Sequence, residues 1–328
     1  MNDEPLDEKT IERLRRELDA HLIVPATPRS SGRHLFSLLW IAVIAAIILV
    51  TVLTGLIQKW LWMRQLHTLG IFWTLLSVQW ATFGVALACA FIYLWIHFRF
   101  AAKTIYALHR NNQLDRVAFV DAPPNPRKID IDISPRILAL LAGVAAAFIS
   151  LLFALGVSSQ WDTYLRFRYG GHFGLLDPLF RIDAGFYLFR LPFYELIQGS
   201  FVYLTSIALV VVLIAYSSFG LLRLGLGGGK LVVRRNIGQH VSALLFLLAA
   251  NWGWGFYLDR YDLVHSTLGV VYGAGYTASH VTMTVLWVMV SVSALACILL
   301  AIGFFRPRIK VVIFGAAIYA AIYAVGII

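Results

Sequence analysis

Seven long apolar runs constrain this chain more than any other feature of it. They cover 35–57, 71–98, 137–157, 196–222, 241–258, 281–305 and 311–328. A helix crosses the hydrocarbon of a bilayer with about 20 apolar residues. All the runs but the fifth and seventh reach that length comfortably, and those two stand near its short limit. Of the 328 residues, 60% are hydrophobic and 13% charged, with a mean hydropathy of +0.77. A soluble domain carries about 25% charged residues, because surface that faces water has to be covered with them. Most of this surface therefore meets lipid. The expected fold is an all-α integral membrane protein, a bundle of about seven transmembrane helices with structured extracytoplasmic loops.

Basic residues crowd alternate connections. Twenty of the 27 Lys and Arg fall before the first run, in 99–136, in 223–235 or in 306–310, and seven fall in the remaining connections. Lys and Arg stay on the cytoplasmic side of short loops, so the N-terminus is expected in the cytoplasm and the C-terminus outside. Ile11, Leu14, Leu18 and Leu22 recur at helical spacing, so 1–34 reads as a cytoplasmic amphipathic helix and linker, with no cleavable signal peptide. Residues 35–328 make the transmembrane domain, with outer loops 158–195 and 259–280 forming a cap. In the inner loop 99–136, the stretch 99–112 extends the second helix until Pro123, Pro124 and Pro126 stop it, and 129–133 alternates like an extended segment. The sequence stops at Ile328 with no polar tail, either at the membrane or as the membrane part of something longer.

Several functions are disfavoured by what the runs and loops contain. The net charge of +10 lies in membrane-flanking segments, where it meets anionic lipid, so no nucleic-acid partner is expected. Cys89 and Cys297 lie in apolar runs without a CxxC, which reads as two buried thiols acting as small hydrophobes. Residues 226–230 read LGGGK, but the earlier glycine of a P-loop and its Ser or Thr are missing. HExxH and GxSxG do not occur, and the nine histidines show no ligand spacing. No catalytic residue, cofactor or metal is expected. No run has a charge near its centre, and ion and proton pathways usually need one. Gln79 and Asn251 are the strongest polar groups at depth, candidates for an interhelical hydrogen bond or a substrate contact.

The outer loops hold the least ordinary sequence. Residues 177–192 read DPLFRIDAGFYLFRLP, and 257–280 read YLDRYDLVHSTLGVVYGAGYTASH. A candidate outer interaction surface is formed by Trp161, Asp177, Pro178, Phe180, Asp183, Phe186, Tyr187, Phe189 and Pro192 from the first loop. The second loop adds Asp259, Arg260, Tyr261, Tyr272, Gly273, Gly275, Tyr276 and His280. Aromatic rings favour the headgroup boundary, and Asp259 and Arg260 are placed to pair across the loop.

These stretches, with the Trp-rich 60–74 (WLWMRQLHTLGIFWT), resemble the uncharacterised bacterial membrane family UPF0182. Two departures stand out: Arg181 and Ile182 occupy positions where Gly-Lys is usual, and Ala278 stands where an Asp is common. The resemblance implies a bacterial inner membrane, a C-terminus outside, and a large extracytoplasmic domain that this chain lacks. It implies no activity. Three functions remain open. The first is a non-enzymatic scaffold or subunit bound to other membrane subunits or an extracytoplasmic partner. The second is a transporter or channel for an uncharged or lipid-like solute. The third is an enzyme acting on lipid-linked substrates at Asp259, Arg260, His265 or His280.

Overall fold

A computed structural model describes residues 31–117, 134–219, 235–266 and 273–305, with Glu12 and Ala317 singly. The amphipathic N-terminal helix, the alternating segment 129–133, the LGGGK stretch, Tyr272 and the seventh apolar run lie outside the described residues. Among those described, every regular element is helical, and six helices are long and apolar enough to cross a membrane. This is a membrane protein. The chain divides into two compact units, 1–74 and 75–328, and each is treated by itself.

The first unit holds helix α1 (Ser31–Gln65). It ends in a Schellman turn: the His67 N–H donates to Arg64 O at 3.1 Å and the Thr68 N–H to Met63 O at 3.0 Å. His67 takes the left-handed φ of 56° that such a turn demands. Thr68 O then accepts from Ile71 N at 3.0 Å, so one residue closes α1 and opens α2 (Leu69–Val117).

The second unit carries most of α2, then α3 (Pro135–Ser158), α4 (Trp161–Tyr169), α5 (Leu191–Ser218), α6 (Arg235–Asp262) and α7 (Met283–Phe305). Wider π turns, Phe186–Arg190 and Ala278–Thr282, lead into α5 and α7. Several helices outrun the apolar patterns that announced them, because their polar ends are helical too. Residues 99–112 do continue α2. The fifth run is no longer short, since α6 adds a turn or more at each end and reaches 28 residues. Pro192 sits in the first turn of α5 directly after a π turn, where the N–H it lacks costs the ladder least. Ser134 caps α3, its hydroxyl accepting from Arg136 N at 3.4 Å, with Pro135 in the first turn.

Packing follows membrane rules. Large apolar side chains such as Trp80, Leu140, Phe148 and Ile214 are exposed. They face outward, as a lipid-facing surface allows and water would not. Inside, Leu94, Phe98 and Ile105 of α2 meet Ala146 of α3, Ala208 and Val212 of α5, and Ile237 and Leu244 of α6. Helices α6 and α7 run antiparallel along a seam of small residues. Ala249 packs with Ala296 and Leu300, a Cβ on Gly253 would lie 3.0 Å from that of Ser293, and Ser242 Oγ donates to Leu300 O at 2.7 Å. Between helices in lipid, where no hydrophobic drive exists, close backbone approach and such hydrogen bonds supply the attraction. The Cys89 thiol corrects one sequence expectation: it is exposed on α2, while Cys297 is half-buried in the seam. Position on the helix face decided this, and run membership did not.

Candidate functional site

The end of the bundle where α3 and α6 finish and α5 and α7 begin carries the elaborated loop 170–185, and is called the cap end. Two aspartates build this loop. Asp177 Oδ1 accepts from Leu179 N at 2.8 Å and Phe180 N at 2.6 Å, and Oδ2 from Ile182 N at 2.9 Å and the Tyr187 hydroxyl at 2.7 Å. Asp183 Oδ1 accepts from Phe173 N at 3.1 Å and Gly185 N at 2.7 Å, and Oδ2 from Gly174 N at 2.7 Å. Asp commonly bonds amides two or three residues on, which is how it nucleates turns. The backbone closes over the same residues. The Arg181 N–H donates to Asp177 O at 3.2 Å and the Asp177 N–H to Ile182 O at 2.9 Å, and Leu176 and Asp183 form an antiparallel bridge.

Local conformation explains the glycines. Gly174 holds φ at 71°, and a Cβ on Gly185 would lie 2.4 Å from Gly171 O. Arg181 holds φ at 58°, the one non-glycine left-handed residue of the loop. The resemblance drawn from the sequence implies a glycine here, and the left-handed φ puts Arg181 under backbone strain.

The charges of both aspartates are well kept. Burial works to raise the Asp177 carboxyl, but the Phe180 amide, the Tyr187 hydroxyl and the Ile182 and Leu179 amides outweigh it and hold it below the usual carboxylate range. The Phe173 and Gly185 amides, more than any other contact, hold Asp183 below that range too, with His172 3.9 Å away adding to the effect. Asp177, with four donors on its two oxygens, has no lone pair left for a substrate, and Asp183 holds three loop amides. Their work is structural.

The loop is fastened to the bundle by aromatic rings. Phe180 and Phe186 lie 5.0 and 5.1 Å from Tyr261 of α6, and the buried Tyr187 meets His265 edge-on at 5.4 Å. Tyr187, Leu191 and Leu258 form the buried centre of that contact. Phe189 stacks on Phe173, and the missing Cβ of Gly170 makes room for it. Turned outward are Phe173, Leu175 and Leu176, 52%, 69% and 61% exposed.

The residues singled out in sequence therefore separate into two sets. Asp177, Tyr187 and Arg260 are buried, and Trp161, Phe180, Asp183, Phe186, Phe189, Pro192, Tyr261 and Gly273 are half-buried. Pro178, Asp259, Gly275, Tyr276 and His280 are exposed. Arg260 is no loop residue: it sits in the last turn of α6, donates Nε–H to Tyr257 O at 3.0 Å, and lies 3.9 Å from the Tyr257 ring and 4.2 Å from the Trp287 ring of α7. It clamps two helices through cation–π contact. His280 Nδ1 is engaged locally by Ser279 and Tyr276 O, and its ring stacks on Tyr276. Gln79 is exposed. Asn251 is half-buried, its backbone O accepting from Gln198 Nε2 at 3.2 Å while its own Oδ1 is buried without a partner among the described residues. Gln198 reaches that carbonyl through a notch, since a Cβ on Gly255 would lie 2.6 Å from Nε2.

A second polar assembly escaped sequence reading. Toward the opposite end, His97 Nδ1 of α2 lies 3.1 Å from His240 Nε2 of α6, and His240 Nδ1 lies 2.9 Å from the Tyr216 hydroxyl of α5. The imidazoles stack at 5.4 Å, and nearby Tyr93 OH meets Thr205 Oγ1 at 2.9 Å. Tyr216 is fully buried. These contacts pin three helices together in the interior. Among the described residues no group of three or more His, Cys, Asp or Glu is placed to hold a metal ion.

Set against known proteins, residues 36–328 match the model of the Uncharacterised protein family (UPF0182). A UPF0182 protein of Salinibacter ruber is 31% identical over 288 residues, 88% of this chain and 29% of that protein. One from Cupriavidus necator is 33% identical over 268 residues, 78% of this chain and 27% of its own length. One from Bradyrhizobium diazoefficiens is 32% identical over 272 residues, again 78% of this chain and 28% of that protein. The chain thus spans less than a third of the relatives it matches. No solved structure matches it.

Proposed function

The chain belongs to the UPF0182 family, described only as uncharacterised, and from its geometry we propose a non-enzymatic scaffold or subunit of a larger inner-membrane assembly. The cap end faces outside the cell and presents a preformed surface to an extracytoplasmic partner. One observation carries the reading: two aspartates spend their acceptors on seven donors within the loop and the first turn after it, and the loop so built displays Phe173, Leu175 and Leu176 outward. Ordering a loop this thoroughly costs conformational entropy. Exposed apolar side chains on such a platform mark interaction surfaces. The relatives' remaining length, more than two thirds of each, is a natural source of material for that surface to hold. The orientation rests on the asymmetry of Lys and Arg.

The test is purification from the native membrane in nanodiscs, followed by native mass spectrometry, for the wild type and for Leu175→Asp with Leu176→Asp. A stoichiometric companion that the double variant loses, with its own thermal unfolding unchanged, supports the proposal. A wild-type chain that emerges alone and monomeric ends it.

A further inference from the structure

A groove of about 520 Å³ runs between α3 and α5 near the cap end, and none of the described residues of the cap fills it. Its floor is made by absence: Gly156 of α3 and Gly199 of α5 both line it, and a Cβ on either would meet no atom within 4 Å. Phe153 and Tyr203, stacked at 5.7 Å and 21°, close its deep end. Leu152, Val157 and Leu196 make apolar walls. Both bordering helices are membrane spans, so the groove opens sideways at bilayer depth, where hydrocarbon is the surrounding solvent. Its mouth is different in kind. Gln160, just past the end of α3, and Glu195 line it there. Asp259 and Asp262, in the last turn of α6, are the acidic neighbours of Glu195. Among the described residues no Lys or Arg forms an ion pair with any of the three carboxyl groups.

We propose that this groove seats one acyl chain of a membrane phospholipid whose headgroup carries an ammonium, with the ammonium at Glu195. Two features select that occupant. Apart from Ser200, whose hydroxyl is taken up by Leu196 O, the body of the groove is lined by hydrocarbon and aromatic rings, so a lipid tail packs there at no polar cost. The mouth offers a carboxyl group and, among the described residues, no basic side chain, so it favours a headgroup bearing an ammonium over one without. The proposal is independent of the scaffold reading, since the groove lies between helices and the platform on the loop.

Native mass spectrometry of the full chain from nanodiscs of equal phosphatidylethanolamine and phosphatidylglycerol tests it. The wild type is expected to retain one phosphatidylethanolamine, at least fivefold over phosphatidylglycerol. Gly199→Leu fills the groove from an uncrowded position and should lose the retained lipid, with circular dichroism and unfolding unchanged; Gly156→Leu is the second reading of the same point should the first not fold. Glu195→Gln should keep a lipid but lose the headgroup preference. Retention of lipid undiminished in the folded glycine variants, or a wild type without headgroup preference, overturns the proposal. So does a crosslink from Gly199→Cys to another segment of the chain or to a second protein, which would show the groove already filled.

Discussion

Two polar assemblies hold this molecule, and they are built on opposite plans. At the cap, Asp177 and Asp183 bond almost wholly to backbone amides, and every partner lies within ten residues. In the interior, His97, His240 and Tyr216 bond side chain to side chain across 24 and 143 residues of sequence, and Tyr93 reaches Thr205 across 112. The cap assembly shapes a loop that α5 would not otherwise impose. The interior assembly chooses which helices lie together. The first creates a surface, whereas the second specifies a bundle, and their failure should look correspondingly different.

Removing the cap's acceptor should have the largest effect. Asp177→Ala strands three amides and a hydroxyl around a buried position, a loss on the order of 3 kcal/mol. Unfolding in mixed micelles should show it, while the helical circular dichroism of the bundle persists. A loss of bundle helicity would break the comparison by making the cap part of the fold's core. Gly185→Ala drives a methyl against Gly171 O and Asp183 Oδ1 and should cost about 1–3 kcal/mol by the same measurement. Tyr216→Phe keeps the ring and loses one interior hydrogen bond, for about 1 kcal/mol, and should leave proteolysis of the cap loop unchanged.

Acid sharpens the contrast. Asp177 and Asp183 are both held below their unfolded values. Their contribution is therefore fully present above about pH 4 and is lost as pH falls through the lower folded values. Limited proteolysis across that range should open the loop 170–185 as the pH drops, and a loop equally resistant at acid pH would contradict the role given to the carboxylates. The smallest effect expected is a gain. Arg181→Gly relieves a left-handed φ and should stabilise the protein by about 0.5–1 kcal/mol.

The same contrast explains what could be read from the sequence. Apolar runs announced six of the helices seen, because a span is a local property of about 20 residues. Residues 177–192 stood out for the same local reason, and so did the departure at Arg181, whose φ shows why glycine suits that place. The role of Asp177 was not legible, since an aspartate beside proline reads equally as a surface charge or a turn acceptor. Arg260 looked like a loop cation because the apolar run stops at Leu258, while the helix continues to Asp262. The His97–His240 pair was invisible, because nothing in a single sequence joins residues 143 apart. Gly253 and Gly255 could have hinted at the helix contacts: two apart on a helix, they face different neighbours, Ser293 and Gln198.

The central claim is that the cap is an ordered platform built by Asp177 before any partner arrives. Hydrogen exchange of the purified chain in nanodiscs tests it most directly, read at the amides of Leu179, Phe180, Ile182 and Gly185. Slow exchange at all four in the wild type, with Asp177→Ala freeing the first three, is the predicted result. Exchange at the rate of an open loop in the wild type would contradict it.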